Sequence, residues 1–369
     1  MRFVMIGGFL GAGKTTTIGK LAQLYIESGK QVGIVTNDQA TDLVDTHTLR
    51  NQGFRVGEVA GACFCCNFNE LTATVEQLQE DQQPDVILAE PVGSCTDLVA
   101  TVIQPLRQFH PNQFTVAPYG VILKPSHGRR ILSGEPNAGF SPEAAYIFNK
   151  QLEEADFLII NRIDELSDER IDELVKLLAT RLPQTPVLKI SAKSGIGMQQ
   201  LLDTVNQSAE GNGDPFGTRI LELDYDRYAQ GEADLGWLNA NLKITAPEPF
   251  VLDDLLLKMM ERLKQAFEDK QVETAHLKII GSGPGFYAVA NLVDREAPVE
   301  LSLASQAELE SCDLIINARV AIDPDSLKYL VRTTVDAVCH QQQLRSTFGD
   351  IQSFQPGRPV PTHRIAEVP

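Results

Sequence analysis

The chain has 369 residues, which is more than one hydrophobic core usually supports, so two domains are expected. Its hydrophobic content of 43% and charged content of 22% are ordinary for a soluble globular protein. The formal net charge of −17 disfavours nucleic-acid and anionic-membrane partners, because either surface would repel the protein.

The beginning of the chain and its cysteine content predict a cytoplasmic protein. No apolar run approaches the ~20 residues that span a bilayer, and the first predicted strand begins at Arg2, which leaves no room for a signal peptide. Because thiols stay reduced in the cytoplasm, the six cysteines indicate metal binding or redox chemistry before they indicate disulfides.

Short apolar segments alternate with amphipathic ones through residues 1–208, the first predicted domain. The predicted strands are Arg2–Gly7, Gln31–Thr36, Arg55–Val59, Asp85–Ala89, Val116–Leu123, Asp156–Ile160 and Val187–Ile190. The predicted helices are Lys14–Ser28, Glu70–Glu80, Leu98–Phe109, Pro142–Glu154, Asp168–Leu182 and Met198–Gln207. This alternation predicts an α/β domain with a doubly wound, largely parallel sheet. Residues 124–141, which contain several Pro and Gly, are interpreted as an inserted loop.

The pattern changes after residues 209–217, which are interpreted as a linker. The later predicted strands are Leu238–Thr245, His276–Ile280, Tyr287–Leu292 and Leu314–Val320, and the later predicted helices are Val251–Asp269 and Asp325–Gln342. This order predicts a smaller α+β domain over residues 218–345, with mainly antiparallel strands. Residues 346–369 are rich in Gly, Pro and Gln and are interpreted as a mobile tail.

Residues Gly8–Thr15 have the complete glycine-rich pattern of a phosphate-binding P-loop, between the first predicted strand and a helix start. The glycines let backbone N–H groups close around a polyphosphate, and the helix N-terminus adds its positive end. Lys14 can reach the β- and γ-phosphates, and the Thr15 hydroxyl can ligate Mg²⁺. The chain is therefore predicted to bind a nucleoside triphosphate.

The segment Asn161–Asp164 follows a predicted strand and predicts a guanine site. The Asp164 carboxylate can accept hydrogen bonds from guanine N1–H and from its exocyclic amine, which adenine does not offer. Sites of this kind reject the wrong ligand by roughly 10⁴-fold. The stem of Arg162 can cover one face of the base, and Ser191–Lys193 fits the loop that contacts guanine O6. The order of these segments after a P-loop favours GTP over ATP.

The segment Glu90–Gly93 ends an apolar strand and predicts a sensor of the γ-phosphate. Glu90 can hold Mg²⁺ through a water molecule, and the Gly93 N–H can meet the γ-phosphate and signal its loss. Asp38 and Asp45 are each either a further Mg²⁺ contact or a solvated loop acid, and Asp42 is interpreted as a loop acid.

Three cysteines within one short turn, Cys63, Cys65 and Cys66, predict a site for a soft or borderline cation such as Zn²⁺, Co²⁺, Ni²⁺ or Cu⁺. The fourth ligand is open among water, a partner's side chain and Cys95. The alternative is a cluster of small buried residues, because free cysteines are often interior. Redox use lacks an obvious partner motif.

Together these motifs resemble the CobW/HypB/UreG family of P-loop GTPases, and within it the CobW-like branch. The matching segments are Gly7–Thr16, the three-cysteine motif, Glu90–Gly93 with Glu in place of the usual Asp, and Asn161–Asp164. The resemblance covers residues 1–208 well and is looser beyond. Ala62 stands where the branch usually has Gly before the first Cys, and Arg162 stands for Lys. Neither departure removes a ligand.

The resemblance implies a GTPase that acts as a metallochaperone or metal insertase. Its ligands would be GTP, Mg²⁺ and Zn²⁺ (or Co²⁺ or Ni²⁺). Hydrolysis is expected to be slow without a partner, because no residue is assigned to orient the attacking water. The implied catalytic residues are Lys14, Thr15, Glu90 and Gly93. The implied nucleotide-binding residues are Gly8, Gly11, Ala12, Gly13, Lys14, Thr15, Thr16, Asn161, Asp164, Ser191, Ala192 and Lys193. The implied Mg²⁺ ligands are Thr15, Asp38 and Glu90, and the implied transition-metal ligands are Cys63, Cys65 and Cys66.

The implied partner is a client metalloprotein or a cofactor-dependent enzyme, and the metal, the client and a homodimeric state are left open. The alternative function is a metal-independent, GTP-gated chaperone or activator of a cobalamin-type enzyme. A small-molecule kinase would also use a P-loop, but it explains neither Asn161–Asp164 nor the cysteines.

Overall fold

The computed structural model describes residues 1–38, 44–134, 140–207, 216–292 and 297–367, without the side chains of residues 44 and 45. The described chain forms two compact units. The first comprises Met1–Ala138, Pro142–Tyr228 and Arg358–Pro369, and the second comprises Gly139–Ser141 and Ala229–Gly357. Most of the predicted linker, 209–217, lies outside the described residues.

The first unit is built on a parallel sheet. Its strands are β1 (Arg2–Gly8), β2 (Val32–Asn37), β3 (Val56–Val59), β4 (Val86–Glu90), β5 (Thr115–Val116), β6 (Gly120–Leu123), β7 (Phe157–Ile160) and β8 (Val187–Lys189). Their order is β3-β2-β4-β1-β6-β7-β8, with β5 also paired to β1, and the pairs are parallel. Strands such as β4 are buried along their whole length, as expected for a sheet covered on both faces. The predicted doubly wound α/β fold is confirmed.

Helices connect these strands and supply the rest of the core. They are α1 (Lys14–Glu27), α2 (Val44–Asn51), α3 (Phe68–Gln82), α4 (Gln104–Phe109), α5 (Pro125–Ser133), α6 (Pro142–Glu154), α7 (Asp168–Arg181) and α8 (Met198–Val205). A further helix, α9 (Tyr225–Ala233), begins in the first unit and ends in the second. One core cluster joins buried residues of α1 and α8 to residues of the sheet, among them Ile18, Leu21, Ile34 and Leu201. The loops that connect strands and helices are therefore anchored at both ends to a packed core.

Part of the loop expected at 124–141 is helical, so that interpretation was wrong for Pro125–Ser133. Pro125 occupies the first turn of α5, where its missing N–H costs nothing, and Gly134 ends the helix with a left-handed φ of +70°. The predicted strand Val116–Leu123 is likewise divided into β5 and β6. In both places Pro and Gly lie at the ends of helices or strands. Composition alone does not distinguish such residues from those of a continuous loop.

The second unit is an antiparallel sheet with two long helices. Its strands are β9 (Gly236–Val251), β10 (Thr274–Gly283), β11 (Phe286–Leu292), β12 (Glu300–Leu303), β13 (Glu308–Val320) and β14 (Arg345–Phe354), in the order β12-β11-β10-β13-β9-β14. Its helices are α10 (Leu252–Asp269) and α11 (Pro324–Gln341). Buried residues of α10 recur every three or four positions, and they join α11 and the sheet in one core cluster. The predicted smaller α+β domain is confirmed as a fold class.

The C-terminal segment differs from the expectation of a tail over 346–369. Residues Arg345–Phe354 form strand β14, which pairs with β9 antiparallel. Its alternating half-buried pattern, with Phe348 and Ile351 packed on the core, is typical of an edge strand. Among the described residues, no helix is long and apolar enough to cross a bilayer.

Glu154, at the end of α6, is a fully buried acid in the first unit. Its carboxylate accepts hydrogen bonds from Thr96 Oγ1 at 3.0 Å and from the Val99 N–H at 3.1 Å. Burial raises the pKa of Glu154 to about 8, and the neighbouring Asp97 carboxylate adds to the rise. The acid therefore connects α6 to the segment after β4, and it is protonated at neutral pH.

We expect Glu154→Gln to remove part of the pH dependence of stability. The folded pKa of about 8 lies above the ordinary value of 4.5, so folding binds a proton between these pH values. This contribution to the free energy of unfolding is complete below pH 4.5 and is lost as the pH rises through about 8. The melting temperature of the wild type should therefore fall relative to that of Glu154→Gln over this range.

Glu153→Gln is the matched control, because Glu153 is a neighbouring acid that is 40% exposed and ion-paired with Lys150. It should keep the wild-type pH profile. Parallel profiles for the wild type and Glu154→Gln would show that the Glu154 carboxyl ionises normally.

Candidate functional site

The loop between β1 and α1 depends on glycine. Gly8, Gly11 and Gly13 have φ angles of +138°, +72° and +95°, which L side chains rarely adopt. A Cβ atom at Gly13 would also lie 2.4 Å from Asn161 Nδ2. The first turn of α1 contains no acidic residue. The positive end of the helix dipole is therefore available to a bound anion and is not neutralised by a carboxylate of the same turn.

Lys14 lies over this loop. Its Nζ donates a hydrogen bond to the carbonyl oxygen of Gly8 at 2.9 Å, and the residue is 8% exposed. A buried ammonium close to the loop's own backbone is in position to bind phosphate oxygens that enter the loop. Thr16, the other predicted phosphate contact in this turn, is exposed.

Two of the predicted Mg²⁺ ligands are in direct contact. Thr15 Oγ1 donates a hydrogen bond to Glu90 Oε1 at 2.9 Å, and Glu90 is 4% exposed. Strands β1 and β4 are neighbours in the sheet, and this is why residues 75 positions apart in sequence meet. A hydroxyl and a carboxylate at one point form an oxygen donor set of the kind that Mg²⁺ prefers.

Gly93 approaches the same loop closely. A Cβ atom at this position would lie 3.0 Å from Lys14 Nζ and 3.0 Å from the Leu10 nitrogen, so a larger residue would be crowded. From α6, Gln151 Nε2 donates to the carbonyl oxygens of Gly93 at 3.0 Å and Cys95 at 2.8 Å. The turn that follows Glu90 is therefore fixed between the P-loop and α6.

Asn161 connects the P-loop to the two loops predicted to read the base. Its Nδ2 donates to the Ala12 carbonyl at 2.9 Å, while its Oδ1 accepts from the Ala192 N–H at 3.1 Å and the Arg162 N–H at 2.8 Å. Asp164 follows in a short 3₁₀ turn and is exposed. The buried amide thus supports the loops, whereas the Asp164 carboxylate faces solvent and is accessible to a ligand.

The third predicted loop is also well ordered by local hydrogen bonds. Ser191 and Ala192 are buried, and Ser191 Oγ accepts from the Ser194 N–H at 3.1 Å. Lys193 is exposed. The structure therefore brings Asn161, Ala192 and the P-loop together.

The cysteine loop depends on Asn37, at the end of β2. Its Nδ2 donates to the carbonyl oxygens of Val59 and Ala62, both at 2.8 Å, and its Oδ1 accepts from the Phe64 N–H at 2.8 Å. Asn37 directly follows Thr36, which lies opposite Glu90 in the β2–β4 pairing. The sequence does not reveal this support role, because the partners of Asn37 lie more than twenty residues away.

The three thiols of this loop converge. The Sγ–Sγ distances are 2.8 Å for Cys63–Cys65, 3.3 Å for Cys63–Cys66 and 3.7 Å for Cys65–Cys66. Cys63 and Cys65 are buried and Cys66 is half-buried. Among the described residues they form a group whose ligand atoms lie close enough to hold one metal ion.

The three thiols have unequal pKa values. Hydrogen bonds with Cys65, Cys66 and Cys95 hold the pKa of the Cys63 thiol well below its usual value. The hydrogen bond with Cys63 raises the pKa of Cys65, and the one between Cys63 and Cys66 raises the pKa of Cys66 to about 11. Cys63 is therefore the first thiolate, and a cation is needed to hold all three sulfurs as thiolates.

Cys95 also belongs to this neighbourhood, since its thiol is a hydrogen-bond partner of Cys63. It is 1% exposed and lies in the turn held by Gln151. Asp38 follows Asn37 and is half-buried, with its N–H donating to the Val59 carbonyl at 3.3 Å. Asp42 and the side chain of Asp45 lie outside the described part of the chain.

The chain is similar in sequence to a family of known proteins. Residues 2–189 match the model of the CobW/HypB/UreG nucleotide-binding domain. The chain is 20% identical over 228 residues to zinc-regulated GTPase metalloprotein activator 1 of Dictyostelium discoideum, which covers 54% of this chain and 47% of the relative. It is 25% identical over 237 residues to the zinc chaperone CobW of Pseudomonas aeruginosa, which covers 56% of this chain and 60% of the relative.

The chain therefore spans about half of the length of the curated relatives it matches. Among solved structures, it is similar to the Zn(II)-bound YjiA GTPase from E. coli, with 14% identity, a TM-score of 0.39, and coverage of 90% of this chain and 98% of that one. Since the family model matches more than half of the sequence, the chain belongs to the CobW/HypB/UreG family of P-loop GTPases.

Proposed function

We propose that this chain is a GTP-hydrolysing metallochaperone, which holds a divalent metal ion on Cys63, Cys65 and Cys66 and delivers it to a client metalloprotein. The observation that carries the proposal is the convergence of three thiols, with Sγ–Sγ distances of 2.8–3.7 Å, on a loop attached beside the Glu90 strand. A metal ion that responds to the nucleotide must lie close to the segment that senses the γ-phosphate. The cysteine loop is held by Asn37, next to the residue paired with Glu90, which supports this role.

Zinc is the metal that the site favours. Thiolates are soft ligands, and three of them together suit Zn²⁺ or Cu⁺ better than Mg²⁺ or Ca²⁺. Two relatives of this chain are a zinc chaperone and a zinc-regulated GTPase metalloprotein activator. Co²⁺ and Ni²⁺ are the other divalent candidates, since both accept thiolate ligands.

Cys95 is the fourth donor in this proposal. Its hydrogen bond with Cys63 supports this choice. Cys95 would have to approach the other two thiols, because it is not part of the group whose ligand atoms lie within 4.8 Å of one another. Cys95 lies two residues beyond Gly93, so a fourth bond from Cys95 would connect the metal to the γ-phosphate sensor directly. If Cys95 does not bind, the metal ion has three protein ligands and an open fourth position, from which it can be exchanged. If Cys95 binds as the fourth thiolate, the coordination is complete and the ion is retained.

GTP hydrolysis is assigned to the P-loop and the segment after β4. Lys14 would stabilise the charge that develops on the γ-phosphate, while Thr15 and Glu90, which are in contact at 2.9 Å, would hold Mg²⁺, Glu90 through water. Asp38 is a further proposed Mg²⁺ contact. We assign no residue to the attacking water, so hydrolysis is expected to be slow until a partner completes the site.

The nucleotide state would reach the metal through Gly93. A γ-phosphate in the P-loop would meet the Gly93 N–H beside Lys14, and its loss would release the turn that carries Cys95. We place this cycle in the cytoplasm, where free thiols such as Cys63 and Cys65 remain reduced. The client is proposed to be a protein, because the net charge of −17 disfavours nucleic acid and anionic membranes.

Lys14→Ala is expected to abolish GTP binding or turnover, because it removes the cation aimed at the γ-phosphate. Binding is measured with a fluorescent GTP analogue, and turnover by phosphate release. Lys30→Ala, which removes an exposed lysine beyond the end of α1, is the control and should behave as the wild type. Wild-type turnover by Lys14→Ala would contradict the assignment of the P-loop.

Asp164→Asn is expected to shift the preference from GTP towards xanthosine triphosphate, since the amide can donate to the xanthine oxygen. The ratio of the two affinities is measured by competition titration. Glu165→Gln is the matched control, because it makes the same change of acid to amide at the neighbouring exposed position. A variant that keeps the wild-type ratio would show that Asp164 does not read the base.

One Zn²⁺ ion per chain is expected, with different affinities in the GDP form and with a non-hydrolysable GTP analogue. A coupling of ~1–3 kcal/mol would separate the two affinities by roughly 5- to 150-fold. The measurement is a competition titration against a chromogenic chelator. The Cys63→Ser, Cys65→Ser, Cys66→Ser triple variant should lose the site, and Cys95→Ser should lose part of the affinity.

Cys312→Ser with Cys339→Ser is the control for thiol loss, because both cysteines lie buried in the core of the second unit. Equal zinc affinity in the two nucleotide states would favour the alternative, a GTP-gated chaperone or activator that works without a metal. Unchanged zinc binding by the triple variant would move the metal site elsewhere.

A further inference from the structure

Residues 358–367, which we call the C-terminal strap, belong to the first unit although they follow the last strand of the second. The strap contacts the cysteine loop through its backbone. The Val360 N–H donates a hydrogen bond to Cys66 Sγ at 3.3 Å, and the Thr362 N–H donates to the Cys65 carbonyl at 2.8 Å. Thr362 Oγ1 also donates to the Cys66 carbonyl at 2.8 Å.

Aromatic contacts fix the middle of the strap. The His363 ring lies 4.8 Å from the ring centroid of Phe109 and 5.3 Å from that of Phe68, which opens the helix after the cysteines. Pro359 is buried, whereas the Val360 side chain is 69% exposed. Val360 therefore acts at this site through its backbone N–H.

A second anchor lies on the π-helical turn Val99–Ile103, which follows the sensor segment. The Ile365 N–H donates to the Ala100 carbonyl at 2.9 Å. In a π-helix the carbonyl of Ala100 would accept a hydrogen bond from the N–H of the residue five positions later. That residue is Pro105, which has no N–H. The strap thus supplies a donor that the helix itself lacks.

The third anchor is an ion pair with a buried acid. Arg364 Nε donates to Asp97 Oδ2 at 2.7 Å and Nη2 donates to Oδ1 at 3.3 Å. The Asp97 side chain is 1% exposed, and its φ of +65° is uncommon for a residue other than glycine. Asp97 lies four residues beyond Gly93, so the ion pair holds the strap to the segment that directly follows the predicted sensor.

We propose that the C-terminal strap is a positioning element of the metal site, in which the Val360 N–H holds Cys66 while Arg364 holds Asp97, in the segment that follows the nucleotide sensor Glu90–Gly93. The inference rests on the proposed function of the cysteines. It adds a connection between the sensor and Cys66 that does not pass through Cys95. Movement at Gly93 and Asp97 would pull on the strap and so change the position of Cys66.

The physical basis is the effect of a hydrogen bond on a metal-bound thiolate. A donor aimed at sulfur stabilises its charge and fixes its orientation, and the loss of such supporting contacts typically lowers metal affinity by about 10- to 100-fold. Cys66 is the half-exposed thiol of the three, and its Sγ accepts this N–H from the strap.

The test is Val360→Pro compared with Val360→Ala in the full chain. Proline removes the N–H and keeps the extended backbone that the following Pro361 already requires. Alanine shortens the same exposed side chain and keeps the N–H. Zinc affinity is measured by chelator competition in both nucleotide states, and the charge-transfer band of the Co²⁺ form reports the sulfur directly.

Val360→Pro is expected to lose about 10-fold or more in zinc affinity and to move the thiolate-to-cobalt band to longer wavelength, because the sulfur lone pair rises in energy. Val360→Ala should match the wild type in both measurements. If the wild type binds zinc on the cysteines and the two variants do not differ, the strap proposal is overturned while the proposed function stands. If the wild type binds no zinc there, the proposed function fails first.

The connection to the sensor is tested with the double variant Arg364→Gln, Asp97→Asn, which removes the ion pair without leaving a buried charge. The ratio of zinc affinities between the two nucleotide states should fall towards one. A double variant that keeps the wild-type ratio would overturn the role of the strap in coupling.

Discussion

The arrangement of the site depends on the side chain of Asn37. Its amide makes three hydrogen bonds of 2.8 Å, one to Val59 at the end of β3 and two to Ala62 and Phe64 in the cysteine loop, and Asn37 is 7% exposed. Buried hydrogen bonds are costly to break, because the backbone group that loses its partner remains unsatisfied in the protein interior. The cysteine loop is thereby attached to the end of β2, one residue beyond the partner of Glu90.

The parallel sheet explains why so many chemical groups meet. The carboxyl ends of parallel strands lie at one edge, and ligands of open α/β sheets bind there. The P-loop follows β1, Asn37 ends β2, Glu90 ends β4 and Asn161 follows β7. The thiol loop follows β3 and is held by Asn37 at the end of β2. Because β2, β4 and β1 are adjacent in the sheet, the strand that carries Glu90 lies between this anchor and the phosphate loop.

The sequence predicts those parts of the site that are formed by short, continuous motifs. The P-loop, Glu90–Gly93, Asn161–Asp164 and the cysteines were located this way, and the parallel sheet followed from the alternation of elements. The strap could not be predicted, because its contacts are made to distant residues. Its backbone N–H groups, for example, donate to carbonyls and a thiol some 265–297 positions away. Its Pro-rich composition is that of a mobile tail, and only the distant partners make it ordered.

The distances between the thiols suggest why these supports matter for a metal that must be released. Four sulfurs at the usual Zn–S distance of about 2.3 Å in a tetrahedron lie about 3.8 Å apart. Cys65 and Cys66 are already at 3.7 Å, whereas Cys63 and Cys65 are at 2.8 Å, so metal binding requires Cys63 to move away from Cys65. The free energy of that movement is set by whatever holds the loop, namely Asn37 on one side and the strap on the other. Any change in those supports therefore changes the affinity for the metal without altering a single ligand.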